Sequence, residues 1–194
     1  KVPSTTGRQM VASIQSFAAR MPWRSYNYSW SLLDSHDTAR IRSVAGGQGR
    51  QHVAATLLMT LPGTPMIFAG DEIGAEGLWG EDSRTTFPWD DRAKWDLQTF
   101  EHYKQLIELR KTRDALVHGG LRWLHVSDDL VVFLRETASD RVLVATSRAA
   151  ARATIDGKTF GFTKFSPIYG NSHAADSDTL EIDFSGPDFA MWSV

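Results

Sequence analysis

The chain has 194 residues and a mass of 21.6 kDa, which is enough for one domain and part of a second. Its 21 Lys and Arg residues face 23 Asp and Glu residues, so no surplus of positive charge is available for phosphates, and we expect no nucleic-acid partner. The absence of cysteine excludes a disulfide scaffold, a thiolate zinc site and a cysteine nucleophile. No apolar run reaches about 18 residues, so the sequence predicts a soluble protein without a membrane span.

The first residue is Lys1, and the first seven residues carry no apolar signal-peptide core. We therefore expect the sequence to be cut from a longer one, and its compartment stays open, with a slight preference for the cytoplasm.

Three helices are predicted in the first part of the chain. Thr6–Gln9 has the form of a capping box, and apolar residues at helical spacing predict a helix over about 7–20. Apolar residues over 53–61 mark a second helix, and a third is predicted over about 97–113. The long loop before the third helix, about 73–95, is either functional or a misread element.

Two short apolar runs in the same part end in polar residues. The run over 28–33 leads into Asp34-Ser-His-Asp37, and the run over 64–69 leads into Asp71 and Glu72. Each reads as a buried strand, and their alternation with helices predicts parallel βα units.

From about residue 116 onward the sequence consists of short strand-like runs separated by Gly, Asp, Asn and Ser. Seven such runs predict a small antiparallel β-sandwich. The sequence thus predicts an α/β part over 1–115 and an all-β domain over 116–194. The predicted strands are Leu121–Val126, Leu130–Glu136, Val142–Ser147, Arg152–Ile155, Lys164–Ile168, Thr179–Phe184 and Phe189–Val194.

His36 and Asp37 follow the first predicted strand. An imidazole and a carboxylate at the carboxyl end of a parallel strand lie where α/β folds place ligands. The alternative is structural: Asp37 caps the following turn and His36 is an ordinary surface histidine.

Three segments together resemble the α-amylase family of glycoside hydrolases, and within it the neopullulanase, cyclomaltodextrinase and maltodextrin glucosidase branch. They are Ser35-His-Asp37, Pro62-Gly-Thr-Pro-Met-Ile-Phe-Ala-Gly-Asp-Glu72 and Ser83-Arg-Thr-Thr-Phe-Pro-Trp-Asp90. Each is only moderately specific, but their order and spacing make a strong signal. The resemblance covers about residues 1–118, and the β-rich remainder matches the family's C-terminal domain in position and character.

The resemblance implies that the two strands are the seventh and eighth of a (β/α)₈ TIM barrel. It implies that Asp37 is the catalytic carboxylate that stabilises the oxocarbenium-like transition state, and that His36 binds sugar hydroxyls. It also implies that Arg40 and Glu72 contribute to substrate binding at the rim of the site. The substrate implied is an α-glucan oligosaccharide.

Chain length limits this reading. A complete barrel takes about 250 residues, and about 115 are available here. The family's nucleophile and general acid/base come from earlier strands, and no motif that matches them occurs in this sequence. We therefore expect the C-terminal portion of a longer enzyme, inactive alone, whose partner is the missing N-terminal barrel segment. Exposed strand edges and apolar faces predict self-association of the isolated chain.

The match to the family has two departures. Ser35 stands where many members have Asn, which fits the neopullulanase-like branch. Thr85 and Thr86 stand where Arg and Pro are frequent, which puts in doubt the contacts carried over from that loop.

Tryptophan is a candidate for stacking on sugar rings. We expect Trp79 and Trp89, in the polar loop, to line the site, whereas Trp30, Trp123 and Trp192 lie in strand patterns and are expected in the core. The histidines show no metal-ligand spacing, and the acidic loop lacks the alternation of a calcium site, so neither a metal nor a cofactor is predicted here, although the parent could bind calcium.

Two alternatives remain open. One is an amylase-like scaffold that no longer catalyses and serves as a carbohydrate-binding or interaction module. The other is a transglycosylase or isomerase of the same family. Intact carboxylates on the upstream strands would favour an enzyme over the binding module, but motifs near Asp37 do not separate hydrolysis from transfer.

Overall fold

The computed structural model describes residues 5–175 and 177–194. Helices dominate up to residue 118, and antiparallel strands follow. The helices are α1 (Gly7–Ala18), α2 (Trp23–Tyr28), α3 (Ile41–Ala45), α4 (Gln48–Thr60), α5 (Leu97–Thr112), α6 (Asp114–His118) and α7 (Gly157–Phe160). The strands are β1 (Trp30–Leu32), β2 (Thr64–Met66), β3 (Gly120–Val126), β4 (Leu130–Glu136), β5 (Arg141–Ser147), β6 (Ala151–Asp156), β7 (Ser166–Gly170), β8 (Thr179–Phe184) and β9 (Asp188–Ser193).

The three predicted helices correspond to α1, α4 and α5. The capping box is formed at α1: the hydroxyl oxygen of Thr6 accepts from the Gln9 amide at 3.2 Å, and the Thr6 amide donates to Gln9 Oε1 at 2.9 Å. Helix α1 ends two residues earlier than predicted. The long loop is mostly irregular, with short 3₁₀ turns at Asp71–Ile73 and Arg92–Lys94.

Strands β1 and β2 pair in parallel, with Trp30 opposite Thr64 and Leu32 opposite Met66. The predicted parallel arrangement is confirmed, although each strand has only three residues. The prediction that Trp30 lies in the core is wrong, because its side chain is 74% exposed. In the described part of the chain β1 has one neighbouring strand, so its other edge leaves the indole uncovered.

All seven strands predicted in the second part are present, with bounds that differ by at most two residues. Five form an antiparallel sheet in the order β3-β4-β5-β9-β7, and β6 pairs with β8 in a second antiparallel sheet. One face of the larger sheet packs on the smaller one through an apolar cluster. That cluster includes Leu130, Val132, Leu134, Leu143, Ile155, Leu180, Ile182 and Phe184.

The opposite face of the five-stranded sheet packs against helices, which makes this sheet a central layer. Its inward residues, such as Phe133 and Val144, share a cluster with Met59 of α4 and with Tyr103 and Leu106 of α5. The strands β4 and β5 therefore have apolar residues on both faces.

Polar contacts also join the helices to the large sheet. The Arg135 side chain is fully buried and donates to the carbonyl oxygens of Gly119 at 2.9 Å, of Gly120 at 3.2 Å and of Thr60. Burial, with the neighbouring Arg110 charge, lowers the pKa of Arg135 to about 9. These bonds fix the end of α4 against β4.

Candidate active site

The residues after β1 form a turn, residues 34–40, called the Asp37 turn below. Its first residue, Asp34, is buried, and its Oδ2 accepts from the Ile41 amide at 2.6 Å. Within the turn the Ser35 amide donates to Thr38 Oγ1 at 2.9 Å, and the Asp37 amide donates to Ser35 Oγ at 3.3 Å. These local bonds are the kind that Asp, Ser and Thr make in turns.

The turn presents His36 and Asp37 to solvent side by side. The Nε2 atom of His36 lies 3.2 Å from Asp37 Oδ2, and the two side chains are 68% and 70% exposed. A fixed carboxylate with an adjacent imidazole can stabilise a developing cation and donate hydrogen bonds to hydroxyl groups.

Arg84 also lies at this position, and its role was not predicted from the sequence. Its Nη2 lies 4.0 Å from Asp37 Oδ1, and its Nε donates to the carbonyl oxygen of Gly80 at 3.2 Å. Arg84 belongs to the Ser83–Asp90 segment that carried part of the family resemblance, and this was the available signal.

The loop 77–84 packs directly on the Asp37 turn. A Cβ atom at Gly80 would lie 2.9 Å from both the carbonyl carbon and the carbonyl oxygen of Asp37, so only a glycine fits without a shift. Trp79, the residue before Gly80, is 58% exposed.

Trp89 is farther along the loop, in an aromatic cluster. Its ring centroid lies 4.2 Å from that of Phe87, which in turn lies 5.5 Å from Trp95. The Trp95 indole nitrogen donates to the carbonyl oxygen of Pro88 at 3.0 Å, which holds this part of the loop. Trp89 itself is 72% exposed, so one indole face is available.

Arg40 is placed differently from the rim role that the resemblance implies, and Glu72 is partly buried. The Arg40 side chain is 2% exposed and pairs with the buried Asp71, with 3.0 Å between Nη1 and Oδ1. Glu72 is half-buried, and its Oε2 accepts from the Gly70 amide at 2.8 Å. Both side chains therefore make contacts within the protein.

The carboxyl groups of Asp34 and Asp71 adjoin each other in this buried cluster. Burial, a hydrogen bond to Asp34 and repulsion by its charge raise the pKa of Asp71 to about 8, against the opposing effect of Arg40. Because two adjoining buried carboxyl groups do not both ionise readily, the arrangement favours one proton on the pair, and a single negative charge then faces the guanidinium of Arg40.

Among residues 5–175 and 177–194, no group of three or more His, Asp or Glu side chains is arranged to hold a metal ion. No helix in the same part of the chain has the length and apolar character needed to cross a membrane.

Comparisons with known proteins agree with the motifs at this site. Residues 4–97 match the family model of the alpha-amylase catalytic domain. The chain is 35% identical over 129 residues to neopullulanase 2 of Thermoactinomyces vulgaris, covering 65% of this chain and 22% of that protein. It is 30% identical over 194 residues to a cyclomaltodextrinase of Geobacillus thermopakistaniensis, covering 94% of this chain and 33% of that protein.

Among solved structures, a debranching enzyme from Nostoc punctiforme aligns with a TM-score of 0.86 and 28% identity, over 99% of this chain and 41% of that one. The chain thus spans a third or less of these two curated relatives.

Proposed function

We propose a function for this chain from its family, because the chain belongs to the α-amylase family of glycoside hydrolases. It forms the C-terminal portion of an enzyme that cleaves α-glucosidic linkages in α-glucan oligosaccharides. The observation that carries the proposal is the pair of exposed side chains His36 and Asp37, 3.2 Å apart, at the carboxyl end of a parallel strand. Active sites of barrel enzymes lie at that end of their strands.

Asp37 is proposed as the carboxylate that stabilises the transition state. Positive charge develops at the anomeric carbon as the glycosidic bond breaks, and a fixed anion close by lowers the energy of that state. His36 is proposed to donate hydrogen bonds to sugar hydroxyls that tighten in the transition state. The guanidinium of Arg84 lies 4.0 Å from Asp37 and is proposed to help orient the carboxylate.

The aromatic residues Trp79 and Trp89 are proposed as stacking surfaces for sugar rings, because both indoles are exposed. Glu72 is proposed to support the rim through its bond to the Gly70 amide. Arg40 is proposed to act on the site without touching the sugar, because its side chain is buried.

The rest of the catalytic set is proposed to come from a preceding part of the barrel. Retaining hydrolysis needs a nucleophile and a general acid/base whose carboxyl groups lie about 5–5.5 Å apart. The two parallel strands would make up a quarter of an eight-stranded barrel. The match covers only 33% of the length of the cyclomaltodextrinase relative. The isolated chain is therefore proposed to be inactive.

An apolar groove between α1, β1 and α4 supports the proposal that the missing barrel segment binds to this chain. It encloses about 600 Å³ and is lined mainly by apolar side chains. Trp30 and Leu32 of β1 line the groove and are exposed, and in the described part of the chain one edge of β1 has no partner strand. Such a surface fits a further parallel strand and its helix, and the missing barrel segment is proposed to supply both.

The proposal is tested by a proton NMR time course of the 194-residue chain with maltotriose, followed by saturation transfer on the same sample. No turnover, with saturation transfer that weakens in Asp37→Asn and Trp79→Ala, is the expected result. Turnover that persists after contaminating amylase is removed would contradict the claim that catalytic residues lie elsewhere. Absence of saturation transfer in every sample would contradict the assigned sugar contacts.

A further inference from the structure

We propose that Arg40, anchored by the buried Asp71, is a positioning residue for Asp37 because it ties the Asp37 turn to the loop 77–84. The inference rests on the proposed function and deepens it, since it assigns to the site a residue that acts without touching the sugar. The 2% exposure of the Arg40 side chain excludes a direct contact with substrate in this structure.

The first tie runs from the Asp37 turn to the segment that follows β2. Besides the 3.0 Å contact with Asp71, the Arg40 guanidinium lies 3.8 Å above the ring of Phe68. Gly70 adjoins it, because a Cβ atom at that glycine would lie 3.1 Å from Arg40 Nη2. A planar guanidinium can satisfy a carboxyl oxygen and an aromatic face at once, which an ammonium group does less well.

The second tie runs to both ends of the loop 77–84. The backbone amide of Arg40 donates to the carbonyl oxygen of Gly77 at 2.9 Å, and its Nε donates to that of Ser83 at 3.1 Å. Between these two anchors lies Gly80, whose backbone packs on Asp37. Displacement of Arg40 would therefore move the surface against which the Asp37 backbone rests.

The charge balance explains why Asp71 suits this position. Asp34 and Asp71 provide two carboxyl groups for one guanidinium, and a single proton on this pair leaves the buried cluster neutral. The amide of Asp71→Asn reproduces that neutral form, with a carbonyl oxygen for Arg40 and a donor for Asp34. The methyl group of Asp71→Ala provides neither, so the guanidinium loses its anchor.

The test is steady-state kinetics with maltotriose in the longer enzyme that contains this segment. Arg40→Met and Asp71→Ala should lower kcat by about 10- to 100-fold, the range that a small misplacement of a catalytic group produces, with little change in KM. Asp71→Asn should keep most of kcat. Arg113→Met is the control, since Arg113 forms a largely buried ion pair with Asp140 away from the site.

Amide hydrogen exchange in the same proteins supplies a readout besides activity. Faster exchange over 35–40 and 77–84 in Arg40→Met, and normal exchange there in Arg113→Met, is expected. Unchanged exchange together with unchanged kcat would overturn the inference. If Arg40→Met does not fold, an Asp71→Ala variant with the kcat of Asp71→Asn would overturn it equally.

The proposed function fails by a different result, namely an Asp37→Asn enzyme that retains normal turnover. In that case the exchange data still decide whether Arg40 positions the turn.

Discussion

The backbone of Gly80 rests against the backbone of Asp37 so closely that a methyl group at position 80 would lie 2.9 Å from the Asp37 carbonyl. Because the obstructing atoms are backbone, Gly80→Ala must displace either the loop or the turn. We expect a fall in kcat of about tenfold or more in the longer enzyme, from misplacement of Asp37. Kinetics with maltotriose measures this effect.

Gly186→Ala is the matched control for that substitution, because nothing lies within 4 Å of a Cβ atom there. Its kcat should equal that of the unmodified enzyme, and its stability should change by less than about 0.5 kcal/mol. A Gly80→Ala enzyme that behaves like this control would show that the contact does not position Asp37.

His102 should make the stability of the chain depend on pH. Its Nδ1 lies 2.9 Å from the Tyr169 hydroxyl and its Nε2 lies 3.0 Å from the carbonyl oxygen of His52. Burial, and secondarily the charge of His52, lowers the pKa of His102 to about 4 from its ordinary 6.5. Between those pH values the unfolded chain binds a proton that the folded chain does not.

This contribution is therefore fully present above pH 6.5 and is lost as the pH falls towards 4. The loss from this residue is about 3 kcal/mol by pH 4, since each pKa unit corresponds to about 1.4 kcal/mol, and about 2 kcal/mol of it falls between pH 7 and pH 5. Urea unfolding of the chain and of His102→Gln at pH 7 and pH 5 measures it. The free energy of unfolding should change less with pH in His102→Gln than in the unmodified chain. An equal change in the two proteins would contradict the role given to His102.

Arg135 should be critical for stability although no carboxylate pairs with it in the described contacts. Arg135→Met removes hydrogen bonds to three carbonyl groups, two of which belong to the buried residues Thr60 and Gly119, at a cost of about 2–4 kcal/mol. Arg122→Met is the control, because Arg122 is half-exposed and pairs with Glu136 near the surface. Thermal unfolding should separate the two variants clearly, and similar melting temperatures would argue against the buried capping role.

The open edge of β1 should cause the isolated chain to self-associate. Trp30→Lys places a charge on that edge and should reduce the concentration-dependent mass measured by light scattering. Trp89→Lys is a matched control, because Trp89 is almost equally exposed but lies in the loop cluster. An equal reduction in both variants, or a monomer before any substitution, would contradict an association through β1.

The secondary structure was predicted best where the sequence repeats a simple pattern. The capping box at Thr6 and the apolar run of Leu130–Glu136 have local signals, and both elements form as expected. The helices α2 and α7 have six and four residues, too few for a periodic pattern to appear, and they were missed. Trp30 was misassigned because burial of a strand depends on neighbours that its own sequence does not reveal.

The positions of the site residues were likewise predicted only where a local sequence signal exists. Asp37 and His36 are adjacent in sequence, so their proximity followed from the motif. Arg84 lies close to Asp37 although 47 positions separate them in the sequence. The Arg40 side chain is held in the interior by Asp71 and Ser83, which come 31 and 43 positions later. Such contacts are set by the tertiary fold, and local patterns carry no information about them.

The most direct test of the central claim is the turnover of Asp37→Asn in the longer enzyme with maltotriose. The substitution keeps the volume of the side chain and removes the negative charge proposed to stabilise the transition state. We predict the loss of most of kcat, with circular dichroism and thermal unfolding unchanged. A folded Asp37→Asn enzyme with near-normal kcat would contradict the account.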